Sequence, residues 1–255
     1  MTGELALLTD RLRAAGCVFA ADEAALLADE ATTAEEFETL VGRRIEGEPL
    51  EHVVGWAQFV GQRVHVASGV FVPRRRSELL ARESFALADA FSIVLDLCCG
   101  SGALGAVIAA AEPLVEVFAA DIDENAVACA RRNLRAERVF AGDLFEPLPA
   151  SLRGRIDVIA ANAPYVPTDE LPFMPPEARH HEPVHALDGG SDGLDVARRI
   201  IAAAPDWLAP GGALLIETGR TQAATLSALM ASAGLTPRTV HDDKLDSTVV
   251  IGSAD

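Results

Sequence analysis

Apolar residues recur every three or four positions along the first 47 residues. ELALLTDRLRAAG, ADEAALLADEA and TAEEFETLVGRRIEG each carry such a stripe, which predicts three amphipathic helices. The third begins at Thr33-x-x-Glu36, a capping-box pattern. From Glu48 to Pro73 the text changes: HVVGWAQFVGQRVHVASGVFVP, rich in Val and interrupted by glycines, predicts a β-hairpin between two units. RRSELLARESFALADA then returns to helical spacing.

Beyond Phe91 the pattern alternates. Short apolar runs (SIVLDL, VEVFAAD, RVFAGD, RIDVIAAN and GALLIET) are separated by helical stretches at 103–111, 124–136, 193–208 and 220–233, as expected of a parallel sheet with helices on both faces. A last pair, near 236–241 and 247–252, predicts two closing strands. The expected fold is therefore α/β, a doubly wound, Rossmann-like, seven-stranded sheet. The expected organisation is a helical domain over 1–47, a hairpin linker over 48–73 and a main domain over 74–255. The segment 162–191 is irregular and holds six of the 14 prolines; a loop that long is usually functional or disordered.

Composition adds exclusions. With 255 residues, half of them hydrophobic, the chain can bury a large core. No apolar run approaches the roughly 20 residues of a membrane helix, and MTGELALLTDRLRAAG lacks a signal-peptide pattern, so a cytoplasmic protein without membrane contact is expected. A net charge of −17 leaves no basic footprint for nucleic acid, and a protein partner fits better. Cys17, Cys98, Cys99 and Cys129 show no C-x-x-C spacing, and adjacent Cys98 and Cys99 make a poor disulfide. Small buried packing residues or a redox pair are the two readings of Cys98 and Cys99. No metal is expected: His180, His181 and His185 cluster without an accompanying ligand set, and read as loop polarity. Glu182 is expected to shape the substrate side of the pocket.

The candidate chemistry gathers at strand ends. VLDLCCGSGALG puts Asp96 at the end of one strand, with Gly100 and Gly102 before a helix. Alone this is either a tight turn or a place where a ligand approaches the backbone. Asp121 ends the next strand, about 20 residues on, where a carboxylate can accept both ribose hydroxyls. Asp143 ends the third, where it could accept from an adenine amino group. Each acid alone is an ordinary turn or cap residue; together they fit a nucleoside-bearing ligand. Asn162-Ala163-Pro164-Tyr165 follows the fourth run, IDVIAA, and contains the chain's one tyrosine.

VLDLCCGSG, AADIDENAV and AGDLF resemble the successive cofactor motifs of class I methyltransferases that use S-adenosylmethionine. The resemblance implies that Asp96, Cys98, Cys99, Gly100, Ser101 and Gly102 pass the methionyl and ribose part, that Asp121 holds the ribose, and that Asp143 with Leu144 holds the adenine. The family usually has glycine at Cys98; a cysteine there needs a backbone angle that tolerates a Cβ. The amino-methylating branch carries Asn-Pro-Pro-Tyr where this chain has Asn162-Ala163-Pro164-Tyr165. By that likeness the Asn162 side-chain oxygen and the Ala163 carbonyl accept the two N–H groups of a poorly nucleophilic amide and aim its lone pair at the methyl donor. Pro164 stiffens the turn, Tyr165 packs on the planar group, and Asn162 also borders the cofactor. Ala163 keeps the carbonyl and loosens the backbone.

GEPLEHVVGWAQFVGQRVHVASGVFVPRRRSELL and HHEPVHALDGGSDGLDVARRII resemble the HemK/PrmC group of protein-(glutamine-N(5)) methyltransferases, over about Glu48 to Gly252. That implies transfer to a protein glutamine, foremost the Gly-Gly-Gln glutamine of peptide-chain release factors, with a ribosomal or other protein as the alternative. In this chain the group's Pro-Arg-Pro-Asp-Thr-Glu is Pro73-Arg74-Arg75-Arg76-Ser77-Glu78. Cations at a helix start oppose its dipole, so the arginines are either simply solvated or held for another reason. Two further readings stand: a nucleic-acid amino methyltransferase, against which the charge argues, and a cofactor-binding relative without catalysis.

Overall fold

The computed structural model describes the backbone from Thr2 to Asp255 and the side chains from Leu5 onward; Met1 of the expected 1–47 domain lies outside the described residues. Three helices come first: α1 (Thr2–Ala14), α2 (Ala20–Glu30) and α3 (Ala34–Ile45). Their apolar stripes meet in one cluster that includes Leu8, Leu12, Leu27 and Val41. The capping box at α3 is shared between two residues. Thr33 Oγ1 accepts the Glu36 N–H at 3.1 Å, while the Glu36 carboxylate reaches past the cap to the Thr32 N–H at 2.8 Å.

The expected hairpin over 48–73 is corrected to a shorter one. Helix α4 (Leu50–Val54) occupies its first part, ended by Gly55 at φ 81°, and Val53 joins the helical cluster beyond residue 47. Only β1 (Trp56–Phe59) and β2 (Gln62–His65) pair, through a turn in which Val60 (φ 47°) and Gly61 (φ 77°) are both left-handed. That primed turn matches the twist of the strands and limits the hairpin to these residues. Asn133 then ties β2 inward: its side chain exchanges hydrogen bonds with the His65 backbone and donates to the Ser101 carbonyl.

After α5 (Glu78–Leu87) the sheet elements follow as β3 (Ile93–Leu97), α6 (Ala103–Ala111), β4 (Glu116–Asp121), α7 (Glu124–Asn133), β5 (Val139–Ala141) and β6 (Ile156–Ala161). Then come α8 (Pro176–His181), α9 (Asp195–Ala203), β7 (Leu208–Glu217), α10 (Ala223–Ser232), β8 (Thr236–Asp242) and β9 (Ser247–Ser253). The seven strands lie in the order β5-β4-β3-β6-β7-β9-β8; β5 to β7 are parallel, and β9 enters antiparallel between β7 and β8.

Both faces are covered, which is why the strands read as continuous apolar runs. Leu95, Leu97, Leu214 and Ile216 pack towards α9 and α10, while the alternate residues Val94, Ala213 and Leu215 pack towards α5 and α6. The segment 162–191 is less irregular than its prolines suggest. It carries α8 and two short 3-10 helices, Thr168–Phe173 and Val184–Ala186, and a bridge pairs Val166 with Asp188.

The helical unit is joined to that segment by Arg44. This buried guanidinium meets Glu23 at 2.6 Å and Glu177 of α8 at 2.7 Å. Removing one member of a buried pair strands the other charge, so Arg44→Ala should cost about 3 kcal/mol in urea unfolding. Arg11→Ala, which breaks the exposed pair with Glu38, should cost less than about 1 kcal/mol in the same assay.

Candidate functional site

Strand order reverses at β3: β4 and β5 lie to one side, β6 and β7 to the other. The loops leaving β3 and β6 therefore diverge and open a crevice at the carboxyl ends of the strands. A cavity of about 640 Å³ occupies that place. Asp96, Cys98, Cys99, Gly100, Ser101, Asp121, Asp143, Leu144 and Asn162 all line it. Gly102 does not. It sits at φ 73° as the cap of α6, and a Cβ there would meet the Ala130 Cβ and Leu134 Cδ1 at 3.0 Å, so its smallness serves the packing of the turn on α7.

The backbone at Cys98 departs from the expected tolerant angle. Its φ is 57°, in the left-handed region where glycine is at ease and a Cβ costs about 1 kcal/mol. Burial, with the carboxylates of Asp121 and Asp96 adding, pushes the thiols of Cys98 and Cys99 up. They remain protonated at neutral pH, and thiols in that state pack rather than react.

The three acids differ in what they can still bind. Asp96, buried, accepts the Gly105 N–H of α6 at 2.9 Å, and burial pushes its carboxyl up to about 8. Asp121 accepts the Gly100 N–H through Oδ2 at 2.8 Å and the Asp123 N–H through Oδ1 at 2.9 Å. Each of its oxygens keeps a lone pair for a ligand hydroxyl, while burial raises its carboxyl too. Asp143 is paired with Arg199 of α9 at 2.5 Å, through one oxygen only. Arg199 also lines the cavity, and no motif marks it; it is one arginine on a helical stripe until the sheet brings α9 beside β5's loop. The same holds for Phe59, Phe71 and Pro73, which the hairpin and its trailing segment lay over the cavity.

Asn162 and Pro164 form part of a wall between this cavity and a second one of about 460 Å³. Ala163 and Tyr165 line only the second, with Arg74, Arg76, Met174 and Glu177. The Asn162 amide is oriented: its Nδ2 donates to Ser77 Oγ at 3.3 Å, which leaves Oδ1 as the open acceptor. Among the described residues no donor reaches the Ala163 carbonyl. The Tyr165 hydroxyl donates to Glu217 at 3.3 Å. Glu217 ends β7 almost wholly buried, and burial raises its carboxyl against the opposing influence of Ser77 and Arg76.

Where a second proline would have stiffened the motif, contacts hold it. Gln222 Nε2 donates to the Tyr165 carbonyl at 2.9 Å, and the Val166 backbone pairs with Leu187 and Gly189. Gly189 and Gly193 let this loop lie directly on the motif; a Cβ on either would stand 2.7 Å from the Pro164 carbonyl oxygen or 2.2 Å from that of Tyr165. The arginine run finds its reasons here too. Arg74 binds both oxygens of buried Glu182 at 2.6 Å, and Glu182 also accepts the Val72 N–H, so this acid braces the wall from behind.

Residues 62–172 match the model of the Methyltransferase small domain. The chain is 40% identical over 201 residues to a release factor glutamine methyltransferase of Geobacter sulfurreducens, covering 76% of this chain and 69% of that one. It is 36% identical over 203 residues to a 4-amino-L-phenylalanine/4-methylamino-L-phenylalanine methyltransferase of Streptomyces pristinaespiralis, with the same two coverages of 76% and 69%. Among solved structures it shares the fold of a methyltransferase from Pyrococcus furiosus, with a TM-score of 0.55 at 18% identity over 76% of this chain and 89% of that one.

Because Gly102 is confined by both φ and neighbours, Gly102→Ala should destabilise the protein by about 1–3 kcal/mol. Thermal unfolding checks this.

Proposed function

The chain belongs to the HemK/PrmC-type family of protein-(glutamine-N(5)) methyltransferases, class I enzymes that use S-adenosylmethionine, and on that premise we propose that it methylates the side-chain amide nitrogen of a glutamine in a peptide-chain release factor. The observation that carries this reading is the place and orientation of Asn162, an amide between two cavities whose nitrogen is held by Ser77 and whose oxygen is open.

The first cavity suits the donor. Its volume of about 640 Å³ falls within the range of cofactor sites, and it combines a glycine turn with carboxylates at successive strand ends. Asp121 would accept the ribose hydroxyls, Asp143 and Leu144 would meet the adenine, the turn from Cys98 to Ser101 would run along the methionyl part, and Asp96 would face its ammonium. When bound, S-adenosylmethionine supplies an electrophilic methyl group on a sulfonium whose sulfur departs as a neutral thioether.

The chain's part is positioning. Asn162 Oδ1 and the Ala163 carbonyl would accept the two N–H groups of the glutamine amide, their dipoles would stabilise positive charge developing on nitrogen, and the methylated nitrogen would then release one of those protons to solvent. Tyr165, held by Glu217, would form the wall beside the amide plane. A second reading is favoured by the Streptomyces pristinaespiralis relative, a 4-amino-L-phenylalanine/4-methylamino-L-phenylalanine methyltransferase. The apolar side chains of Phe71, Tyr165 and Met174 in the second cavity suit an aromatic amine as well.

Labelled S-adenosylmethionine offered with release factors, ribosomal proteins, nucleic acid and 4-aminophenylalanine separates these readings. Label is expected on a release-factor glutamine; label confined to another fraction rejects that substrate. Asn162→Ala should lower kcat by about a thousandfold while leaving donor affinity within about tenfold, as loss of a transition-state contact does. Ser77→Ala, which frees the amide to turn, should lower kcat by about tenfold. Binding of the donor should also depend on pH. The Asp96 carboxyl, raised to about 8, is protonated at pH 7; a cation beside it favours the charged form. Affinity should therefore rise from pH 6 to about 8, with proton release seen by calorimetry in buffers of different ionisation enthalpy, and Asp96→Asn should flatten both.

A further inference from the structure

Ser77 holds the Asn162 amide, yet a hydroxyl by itself imposes no sense on it. A serine Oγ carries one proton and two lone pairs, so it can accept from Asn162 Nδ2 or donate to Oδ1, and the second choice would close the open acceptor. Another group must fix the polarity. Beside Ser77 stands Glu217, at the end of β7, where its backbone is paired with Val249 of β9 and its side chain is buried. Its Oε1 accepts from the Tyr165 hydroxyl at 3.3 Å, and the Nε of Arg76 lies 3.6 Å from the same oxygen as counter-charge. Oε2 differs: among the described residues this buried oxygen has no partner in hydrogen-bonding geometry. Ser77 is close enough to act on the carboxyl as a hydrogen-bond donor and to hold it down against burial. The Ser77 proton is left free by the Asn162 contact, in which Oγ accepts.

We propose that Glu217 is a positioning residue that sets the sense of the Asn162 amide through Ser77. This rests on the reading of Asn162 Oδ1 as an acceptor for the nitrogen that is methylated. An ionised carboxylate can only accept hydrogen bonds. A buried carboxylate oxygen without a donor is costly, which draws the Ser77 proton towards Oε2. Once that proton points to Glu217, only lone pairs of Ser77 face Asn162. The amide must then offer Nδ2 to Ser77, and Oδ1 is turned outwards to the methyl acceptor. Arg76 contributes by keeping the carboxyl ionised, since a protonated Glu217 would donate to Ser77 and reverse the chain. Glu217 lines neither cavity. Its influence on the reacting nitrogen passes through two hydrogen bonds, and Tyr165, on the other carboxylate oxygen, is not part of that path.

The test is a double-mutant cycle in kcat at saturating donor, with a release factor as acceptor. Glu217→Gln keeps the size of the side chain and removes its acceptor-only character; it should lower kcat by about tenfold, with KM and donor affinity little changed. Ser77→Ala/Glu217→Gln should also stand about tenfold below the wild-type protein, against about a hundredfold for independent effects. Should Glu217→Gln melt early, Arg76→Gln, on an exposed side chain, carries the same cycle. It should lower kcat by about threefold, and not at all in the Ser77→Ala background. A second readout needs no turnover. Asn162 is one of three asparagines, so its side-chain amide signals are identified by their loss in Asn162→Ala. In the protein loaded with S-adenosylhomocysteine, hydrogen exchange of those N–H groups should quicken alike in Ser77→Ala and Glu217→Gln. Independent losses in either cycle, an unchanged kcat in Glu217→Gln, or a Glu217→Gln loss that disappears in Tyr165→Phe instead of Ser77→Ala overturns the proposal. Unchanged exchange in Glu217→Gln, with wild-type transfer to glutamine, overturns it and leaves the glutamine reading intact. Quickened exchange in both variants, with no wild-type transfer to glutamine, does the reverse.

Discussion

At β3 the sheet sends its two neighbours in opposite directions, and the loops that follow β3 and β6 cannot close on one another. The crevice this leaves is bounded on one side by the glycine turn and on the other by Asn162. Every candidate residue depends on that divergence. Asp96, Asp121 and Asp143 face one space only because β3, β4 and β5 are parallel neighbours that end at the same level. Had the same motifs lain on an antiparallel meander, successive ends would have pointed to opposite edges of the sheet.

The turn after β6 divides the space further, and side chains far away in the sequence secure it. Ser77 comes from the start of α5, Glu217 from the end of β7, and Gln222 from the start of α10. Together they set the Asn162 amide, the Tyr165 hydroxyl and the motif's backbone. The alanine in place of a second proline is thus offset by hydrogen bonds, and by glycines that allow the 187–193 segment to lie against the motif. Burial does the electrostatic work in the same region: it raises Asp96, Asp121 and Glu217, so charge in the crevice depends on what binds there.

Much of the fold is legible in the residues because parallel strands covered on both faces have a distinctive text. The stretch 103–111 is the helix Ala103–Ala111, and the final pair of runs becomes β8 and β9. The long hairpin over 48–73 is not legible in that way. Valine-rich text with glycines fits a strand, yet a five-residue helix ended by Gly55 fits HVVG equally well, and only the primed turn at Val60 and Gly61 limits the ladder. The site behaves similarly. Asp96, Asp121, Asp143 and Asn162 line the crevice at the ends of their strands while Gly102 does not, and Arg199, Ser77, Phe71 and Glu217 carry no local pattern.

The sequence by itself determined the alternation of strands and helices, the acids at three strand ends and the amide after the fourth. These follow from local spacing and from the needs of a buried parallel sheet. Tertiary structure decided the rest. It assigned Gly102 to packing instead of the cavity wall, put Cys98 at a glycine-like angle, and turned the arginine run from an unfavourable helix start into a brace at Glu182 and a cation over Tyr165. The physical reason is that an orphan charge or a positive φ acquires its meaning from neighbours distant in the chain, and a sequence specifies those neighbours only through the fold.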